Sequence, residues 1–270
     1  MRKLPILLLL LISVLAISCK STHEKVLKSK DLNYKLTKAN EYYDQKKFFK
    51  ASQVYESLMP AFRGTKNYEE LYYRYCYSFY YQEDYLSASY QFKNFIEAFP
   101  KSPRADECEF MYATCLYKMS NRPSLDQTST YKAMEALQTY INTHPGSSNL
   151  TEASNYIDIC RAKIEAKDAN AAKLYFNIGD FKAATVAYKS LIQAYPESKN
   201  IDFYQLMIVK SFYEYAQASR VEKREERYAE AVNAYNELLS YYPNSSNLKE
   251  AEKIYTSAQN HIKQLRNEHK

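Results

Sequence analysis

The sequence predicts an all-α fold, a solenoid of five helix-turn-helix repeats closed by a C-terminal capping helix, and three observations predict it. First, large residues recur in steps of three and four around one alanine: Phe48, Ala51, Tyr55, Leu58, Phe62; Tyr85, Ala88, Phe92, Phe95, Phe99; and Thr130, Ala133, Leu137, Tyr140, His144. Two later copies are Phe181, Ala184, Tyr188, Leu191, Tyr195 and Tyr228, Ala231, Tyr235, Leu238, Tyr242. Those steps place each set on one face of a helix. Second, four of the five sets run straight into a proline, Pro100, Pro145, Pro196 and Pro243, which ends the helix; Arg63 stands in the fifth. Third, the alanine never changes. Between bulky neighbours a fixed methyl group means that a second helix approaches too closely for anything larger, so each set is one arm of a helical hairpin.

Taken in order, residues 1–18 precede that pattern. Arg2 and Lys3 lead into an apolar run from Ile6 to Ile17, too short to span a bilayer and suited to a secretory signal peptide. The junction Leu15-Ala16-Ile17-Ser18-Cys19 resembles the lipobox of bacterial lipoproteins, with Ala16 where that pattern more often has Leu. The resemblance implies cleavage before Cys19 and its acylation, and several acyl chains on one residue give stable anchoring. Residues 19–30 are then expected to form a lipidated, flexible polar tether. About 250 residues remain, enough for one extended array or two compact domains, and repeats reaching both ends favour the array. Loss of Arg2 and Lys3 lowers the net charge from +6 to +4, which does not argue for nucleic acid.

Each alanine-centred helix needs a partner helix before it. The second unit supplies Tyr72, Tyr75, Cys76 and Phe79, at the positions where the tetratricopeptide repeat (TPR) places large, large, small and large residues. The third offers Glu109, Tyr112, Ala113 and Leu116; the fourth Asp168, Ala171, Ala172 and Tyr175; the first Lys35, Lys38, Ala39 and Tyr42, a weak match as terminal repeats often are. The fold is therefore TPR-like. Repeat starts lie 37 to 51 residues apart against a usual period of about 34, so the excess must be insertions. These are read at Ser120 to Ser129, at a long helix from Leu150 to Ile178, and at a charged helix end from Arg220 to Arg227. At the junctions, Ser102, Ser147, Ser198 and Ser245 follow the proline by two positions and offer a hydroxyl to cap the next helix; Ser102-Pro103 reads as N-cap and first helical residue. Leu248 to Leu265 closes the array with Ala251, Ile254, Tyr255, Ala258, Ile262 and Leu265 inward.

Catalytic signatures are missing. Gly64, Gly146 and Gly179 stand apart, so no glycine-rich phosphate loop or dinucleotide fingerprint exists. His23, His144, His261 and His269 show no metal-ligand spacing, and adjacent carboxylates such as Glu69-Glu70 point to different helix sides. No enzyme activity, metal or cofactor is expected. Cys108 and Cys115, seven apart on one helix, are separated by about 10 Å along its axis and cannot bridge each other. With Cys76 and Cys160 they are read as small core residues, a pairing across helices staying open.

Tyrosine is the unusual resource: 29 Tyr and 12 Phe with no Trp. Most should fill helix seams. In the second unit, however, the seam is already occupied, which leaves Tyr73, Tyr77, Tyr80 and Tyr81 on the other side of the same helix, facing the concave groove of a TPR array. Phe110 and Tyr117 would continue this surface from the third unit, and Tyr43 with Asn40 from the first. An aromatic groove with few charges suits an extended, aromatic-rich peptide. The alternative is that an insertion or neighbouring helix covers these rings.

The lipobox, the five TPR-like units, the Tyr-Pro-x-Ser junctions at Tyr195 and Tyr242 and the mature length together resemble the BamD family of outer-membrane assembly lipoproteins. The most specific local match is the inserted segment Arg122-Pro123-Ser124-Leu125-Asp126-Gln127-Thr128, in which Arg122, Pro123, Asp126, Gln127 and Thr128 carry the likeness. The resemblance implies an outer-membrane, periplasm-facing lipoprotein of the β-barrel assembly machinery. Repeats one to three, residues 31–146, would receive unfolded barrel substrates. Repeats four and five with the capping helix, residues 147–270, would hold a large barrel-forming partner through its periplasmic domains. A second reading is another lipid-anchored TPR adaptor, for instance in cell-wall synthesis or division. A glycan-uptake lipoprotein, rich in sugar-stacking tryptophan on a longer chain, fits poorly.

Overall fold

The computed structural model describes residues 22–268, and every one of its regular elements is helical. The signal peptide and Cys19 lie outside the described residues. A helical segment over 22–28 (α1) comes first, followed by α2 (Leu32–Asp44), α3 (Phe48–Phe62), α4 (Tyr68–Tyr80), α5 (Tyr85–Ala98), α6 (Ala105–Lys118) and α7 (Thr128–Thr143). After these run α8 (Leu150–Asn177), α9 (Phe181–Ala194), α10 (Ile201–Gln217), α11 (Val221–Tyr241) and α12 (Leu248–Glu268). Helices pair in antiparallel fashion as α2/α3, α4/α5, α6/α7 and α10/α11, with α12 closing the series on α10 and α11; Ala172 of α8 shares a core with Tyr188 and Leu191 of α9, and the Tyr195 hydroxyl donates to Asp168 Oδ2 at 2.5 Å. This is the expected all-α, TPR-like repeat fold with its capping helix.

The chain divides into two compact units. One holds the chain up to Asn121 together with Gln127–Cys160, the other Arg122–Asp126 together with the chain from Arg161 onward. The division passes through α8, so it falls later than the expected break after residue 146.

The alanine rule has a direct structural cause. Ala51, Ala88, Ala133, Ala184 and Ala231 are each 0% exposed, and the partner helices answer with Ala39, Cys76, Ala113 and Ala172, equally small and buried. The bulky members of the stripe, among them Tyr55, Phe92, Phe95, Leu137, Tyr140, Tyr188 and Leu238, fill the seams on either side. Apolar burial of this kind supplies most of the stability of a helical array.

Turns within hairpins repeat a device that the amino-acid pattern did not announce. Lys46, Glu83 and Gly179, each two residues before the stripe begins, adopt φ of 57°, 60° and 83°. This left-handed residue lets the next amide reach back: Lys47 N to Tyr42 O at 2.7 Å, Asp84 N to Phe79 O at 3.1 Å and Asp180 N to Tyr175 O at 3.0 Å. Asp84 and Asp180 then cap α5 and α9 by accepting from Ser87 N and Ala183 N, both at 3.1 Å.

At the junctions between hairpins the serines work differently from expectation. Ser102 is not the N-cap of α6: that helix starts at Ala105, beyond Pro103, and Ser102 Oγ accepts from Arg104 N at 3.0 Å in a tight local turn. Its hydroxyl donates to Glu69 Oε1 at 2.6 Å, back on α4. The motif recurs. Ser198 Oγ donates to Glu165 Oε1 at 2.5 Å and Ser245 Oγ to Asp202 Oδ2 at 2.6 Å. At the third junction Ser147 Oγ meets the Tyr140 hydroxyl at 2.5 Å, and that hydroxyl donates to Asp106 Oδ1 at 2.7 Å. A carboxylate of one hairpin's first helix thus clamps the turn leading to the next.

Two further expectations need amending. The stretch read as a flexible tether is helical over 22–28: Val26 is fully buried, His23 Nε2 lies 2.8 Å from Gln53 Oε1, and Lys35 Nζ donates to the Leu27 carbonyl at 3.2 Å. A helix this short has no stability of its own, so tertiary contacts with α2 and α3 decide it. The insertion read as Ser120 to Ser129 ends sooner, because Thr128 and Ser129 already belong to α7. Cys76, Cys108, Cys115 and Cys160 are all buried and none is in a disulfide.

Candidate functional site

The aromatic face of the first unit is built by α2, α4 and α6. On α4 the series Glu70, Tyr73, Arg74, Tyr77 and Tyr81 descends one side in steps of three and four. Tyr43 and Asp44 approach it from α2. From the other flank come Arg104 at the start of α6 and Glu107 in its first turn.

The candidate tyrosines divide by depth. Tyr81 is 49% exposed and lies 4.7 Å, centroid to centroid, from the half-buried Phe48, with Tyr43 at 6.3 Å. Tyr80, also half-buried, packs on Tyr85 at 5.7 Å. Tyr77 is only 8% exposed, its ring edge-on to Phe92 at 5.1 Å. Tyr73, half-buried, sits 4.8 Å from Tyr77. Both of their hydroxyls donate to Glu107 Oε1, that of Tyr73 at 2.8 Å. In the third repeat the continuation is covered: Phe110 is 6% exposed, and Tyr156 of α8 stacks on Tyr117 at 4.0 Å and lies parallel to Phe110 at 6.3 Å. The long fourth-repeat helix therefore supplies the lid that the sequence left as an alternative. What stays accessible is the patch of Tyr43, Phe48, Tyr80 and Tyr81, with Tyr73 at its edge.

That patch borders a cluster of charges, where a groove with few charges was expected. Glu70 bridges two arginines, at 2.7 Å to Arg74 Nε and 2.5 Å to Arg104 Nη2, and Arg74 Nη1 also reaches Asp44 Oδ1 at 3.1 Å. Each guanidinium covers a ring as well, Arg104 over Tyr73 at 4.3 Å and Arg74 over Tyr43 at 5.2 Å. Burial opposes ionisation of Glu70, but the two arginines outweigh it and hold the carboxyl below its ordinary value. Burial and then the Glu107 carboxylate push the Tyr73 and Tyr77 phenols upward, so both stay neutral donors. The face can offer ring surface and satisfied, oriented charges; it holds no nucleophile with an activating base. Among the described residues no group of three or more His, Cys, Asp and Glu side chains is arranged to hold a metal ion. Glu70 and Arg74 were findable, since they share the helical phase of Tyr73 and Tyr77. Arg104 and Glu107 were not, because only the packing of α6 on α4 brings them in.

The insertion residues divide between the two units. Arg122 to Asp126 group with the second unit, where Lys167 Nζ donates to the Leu125 carbonyl at 2.7 Å. Pro123 is half-buried, while Arg122 and Asp126 are exposed. Gln127 is buried in the first unit and accepts from Thr130 Oγ1 at 2.7 Å; Thr128 is exposed at the start of α7.

TPR-like hairpins with an accessible aromatic face define a scaffold that works through protein–protein interaction. The chain belongs to the YfiO family of outer membrane lipoproteins, whose model matches residues 29–191 and 175–266. The outer membrane protein assembly factor BamD of Caulobacter vibrioides is 25% identical over 117 residues, which are 43% of this chain and 38% of that protein. The match thus spans little more than a third of that relative's length. Among solved structures, the TPR2AB domain of yeast Sti1 in complex with pHSP90 aligns over 84% of this chain and 98% of its own, at 16% identity and a TM-score of 0.40. The TPR domain of P58(IPK) aligns over 91% of this chain and 69% of its own, at 14% identity and a TM-score of 0.41. At these scores the superpositions say nothing about ligand or partner. No helix among the described residues is long and apolar enough to cross a membrane.

Proposed function

We propose that this chain is a lipid-anchored, periplasm-facing scaffold of the outer-membrane β-barrel assembly machinery, held in the membrane through acylated Cys19. Its first unit receives unfolded barrel substrates, and its later repeats hold the barrel-forming core subunit. Family membership and the printed role of the Caulobacter relative support the setting. The observation that carries the substrate-receiving half is the accessible ring patch of Tyr43, Phe48, Tyr80 and Tyr81 beside the Glu70, Arg74 and Arg104 ladder. Rings present contact area at small entropic cost, and the charged border gives an extended segment polar partners between aromatic anchors.

Photoreactive residues at Tyr81 and at the 74% exposed Tyr241 test both halves in cells. Position 81 should capture unfolded barrel proteins, and position 241 a large barrel protein with soluble periplasmic domains. Capture of cell-wall synthesis or division proteins instead would assign the adaptor role, and the assembly reading would fall. Metabolic labelling with palmitate, lost in Cys19→Ala, tests the anchor separately.

A further inference from the structure

In the second unit a cavity of about 400 Å³ opens where the end of α10, the start of α11 and the far end of α12 converge. Gln217, Arg224, Tyr228, His261, Gln264 and Leu265 line it. Tyr228 and His261 form one wall, stacked at 4.9 Å and 12° from parallel. The imidazole is fixed from behind by the Tyr213 hydroxyl, 3.4 Å from Nε2. Leu265, almost fully buried, supplies the apolar floor.

Arg224 is the informative residue. It is half-buried, and its Nε donates to the Ser219 carbonyl at 2.9 Å, which fixes the plane of the guanidinium. No carboxylate of the described residues pairs with it. Of the acidic residues on the same helix, Glu225 pairs with Arg266 at 2.7 Å and Glu226 with Lys223 at 3.1 Å. Tyr228 follows Arg224 by one helical turn on α11, so both side chains line the same wall; burial and the neighbouring Tyr213 push the Tyr228 phenol up while the charge of Arg224 pulls it down. A half-buried arginine is ordinarily matched by an acid, because its desolvation is otherwise uncompensated. Here the donors around it, a phenol, an imidazole and two side-chain amides, are neutral hydrogen-bonding groups.

We infer that this cavity binds a carboxylate carried on a short apolar chain, the guanidinium of Arg224 gripping its two oxygens while Tyr228, His261 and Leu265 flank the carbons. A planar, singly charged group fits one planar guanidinium with neutral helpers, whereas a phosphate dianion calls for more positive charge than the cavity supplies. The volume is that of a small-ligand site. The carboxylate can come from a free short-chain acid or from the C-terminus of a peptide. This site is separate from the aromatic face and does not depend on the role proposed for it.

The test uses the full-length chain with three probes: pentanoate, the tripeptide acetyl-Ala-Ala-Leu with a free carboxylate, and the same tripeptide amidated. Ring resonances of His261 and calorimetry report binding. Pentanoate or the free-acid peptide should bind and shift His261, the amidated peptide should not, and Arg224→Gln should weaken binding about tenfold or more. A free-acid peptide much tighter than pentanoate identifies a chain terminus as the natural source; equal affinities identify a free acid. Gln217→Glu sets a negative charge in the cavity wall from an exposed position without touching the Arg224–Ser219 bond, so it should abolish binding at unchanged melting temperature. No response of His261 to either acid at millimolar concentration overturns the inference, as does wild-type binding by both variants or equal binding of the amide.

Discussion

Glu165 offers the sharpest test of how the hairpins are held in register. Its Oε1 accepts from Ser198 Oγ at 2.5 Å, from the Tyr204 hydroxyl at 2.6 Å and from Asn200 Nδ2 at 3.2 Å, so one carboxylate ties α8 to the junction after α9 and to α10. Burial works against its ionisation, yet these three donors prevail and hold the carboxyl below its ordinary value of 4.5. Replacing it by Ala removes all three bonds and strands the hydroxyl of Tyr204, which is buried. Full burial would put the loss higher, but the carboxylate is partly solvated, so about 2 to 3 kcal/mol is expected. For a chain of this size that lowers the melting temperature by roughly 5 to 10 °C. Glu165→Gln keeps an acceptor and loses the charge, costing about 1 kcal/mol at neutral pH. Because the folded pKa is depressed, the stabilisation by the charge is fully present above about pH 4.5 and is lost as pH falls through the folded value. The gap between wild type and Glu165→Gln should therefore close in acid. Thermal melts followed by circular dichroism from pH 7 to pH 3, with hydrogen exchange of α10 amides, measure both effects. A gap that stays constant across that range, or a Glu165→Ala chain that melts with the wild type, would refute the clamp.

Four further outcomes are expected. Lys46→Gly and Glu83→Gly relieve a left-handed conformation that a side chain resists, and each should raise stability by about 0.5 to 1 kcal/mol in chemical denaturation. Ala133→Leu forces bulk into a fully buried helix contact and should cost about 1 to 3 kcal/mol, whereas the same change at a solvent-facing alanine such as Ala98 should not. Tyr77→Ala should lower stability by about 3 kcal/mol through lost packing on Phe92, while Tyr81→Ala should leave melting near the wild type and weaken capture of unfolded barrel segments. Burial pushes the thiols of Cys108 and Cys115 up to about 12, so all four buried cysteines should resist thiol reagents until the chain unfolds, a slow-labelling result that a thiol assay reads directly.

The repeating elements were legible because they depend on local chemistry. A fixed Ala51, Ala88, Ala133, Ala184 or Ala231 needs no partner residue to be identified for its meaning to hold: a methyl among large residues marks a close helix contact wherever it recurs. The prolines at the junctions end helices by removing an amide. Even α10, whose signature went unspecified, carries apolar residues around its whole circumference, Tyr204, Leu206, Met207, Ile208 and Val209, as befits a helix packed by α9, α11 and α12. The site was less legible. Helical phase groups Tyr73, Tyr77, Tyr80 and Tyr81 away from the seam, but phase does not give depth. Phe92 lies under Tyr77, Tyr156 lies over Phe110 and Tyr117, and Arg104 lies on Tyr73, and all three come from other helices.

By itself, then, the amino-acid order determined the class of fold, the helix count in its repeats, the close contacts at each alanine and the absence of glycine-rich phosphate loops. These are consequences of spacing along one helix, and spacing is a one-dimensional property. Tertiary structure alone decided which tyrosines remain accessible, that Glu70 holds two arginines from different helices, that 22–28 folds as a helix, and that Arg224 faces a cavity without an acid beside it. Each of those depends on groups brought together from different helices, as for Tyr77 and Glu107, or on a partner that is missing, and no local period records such a meeting.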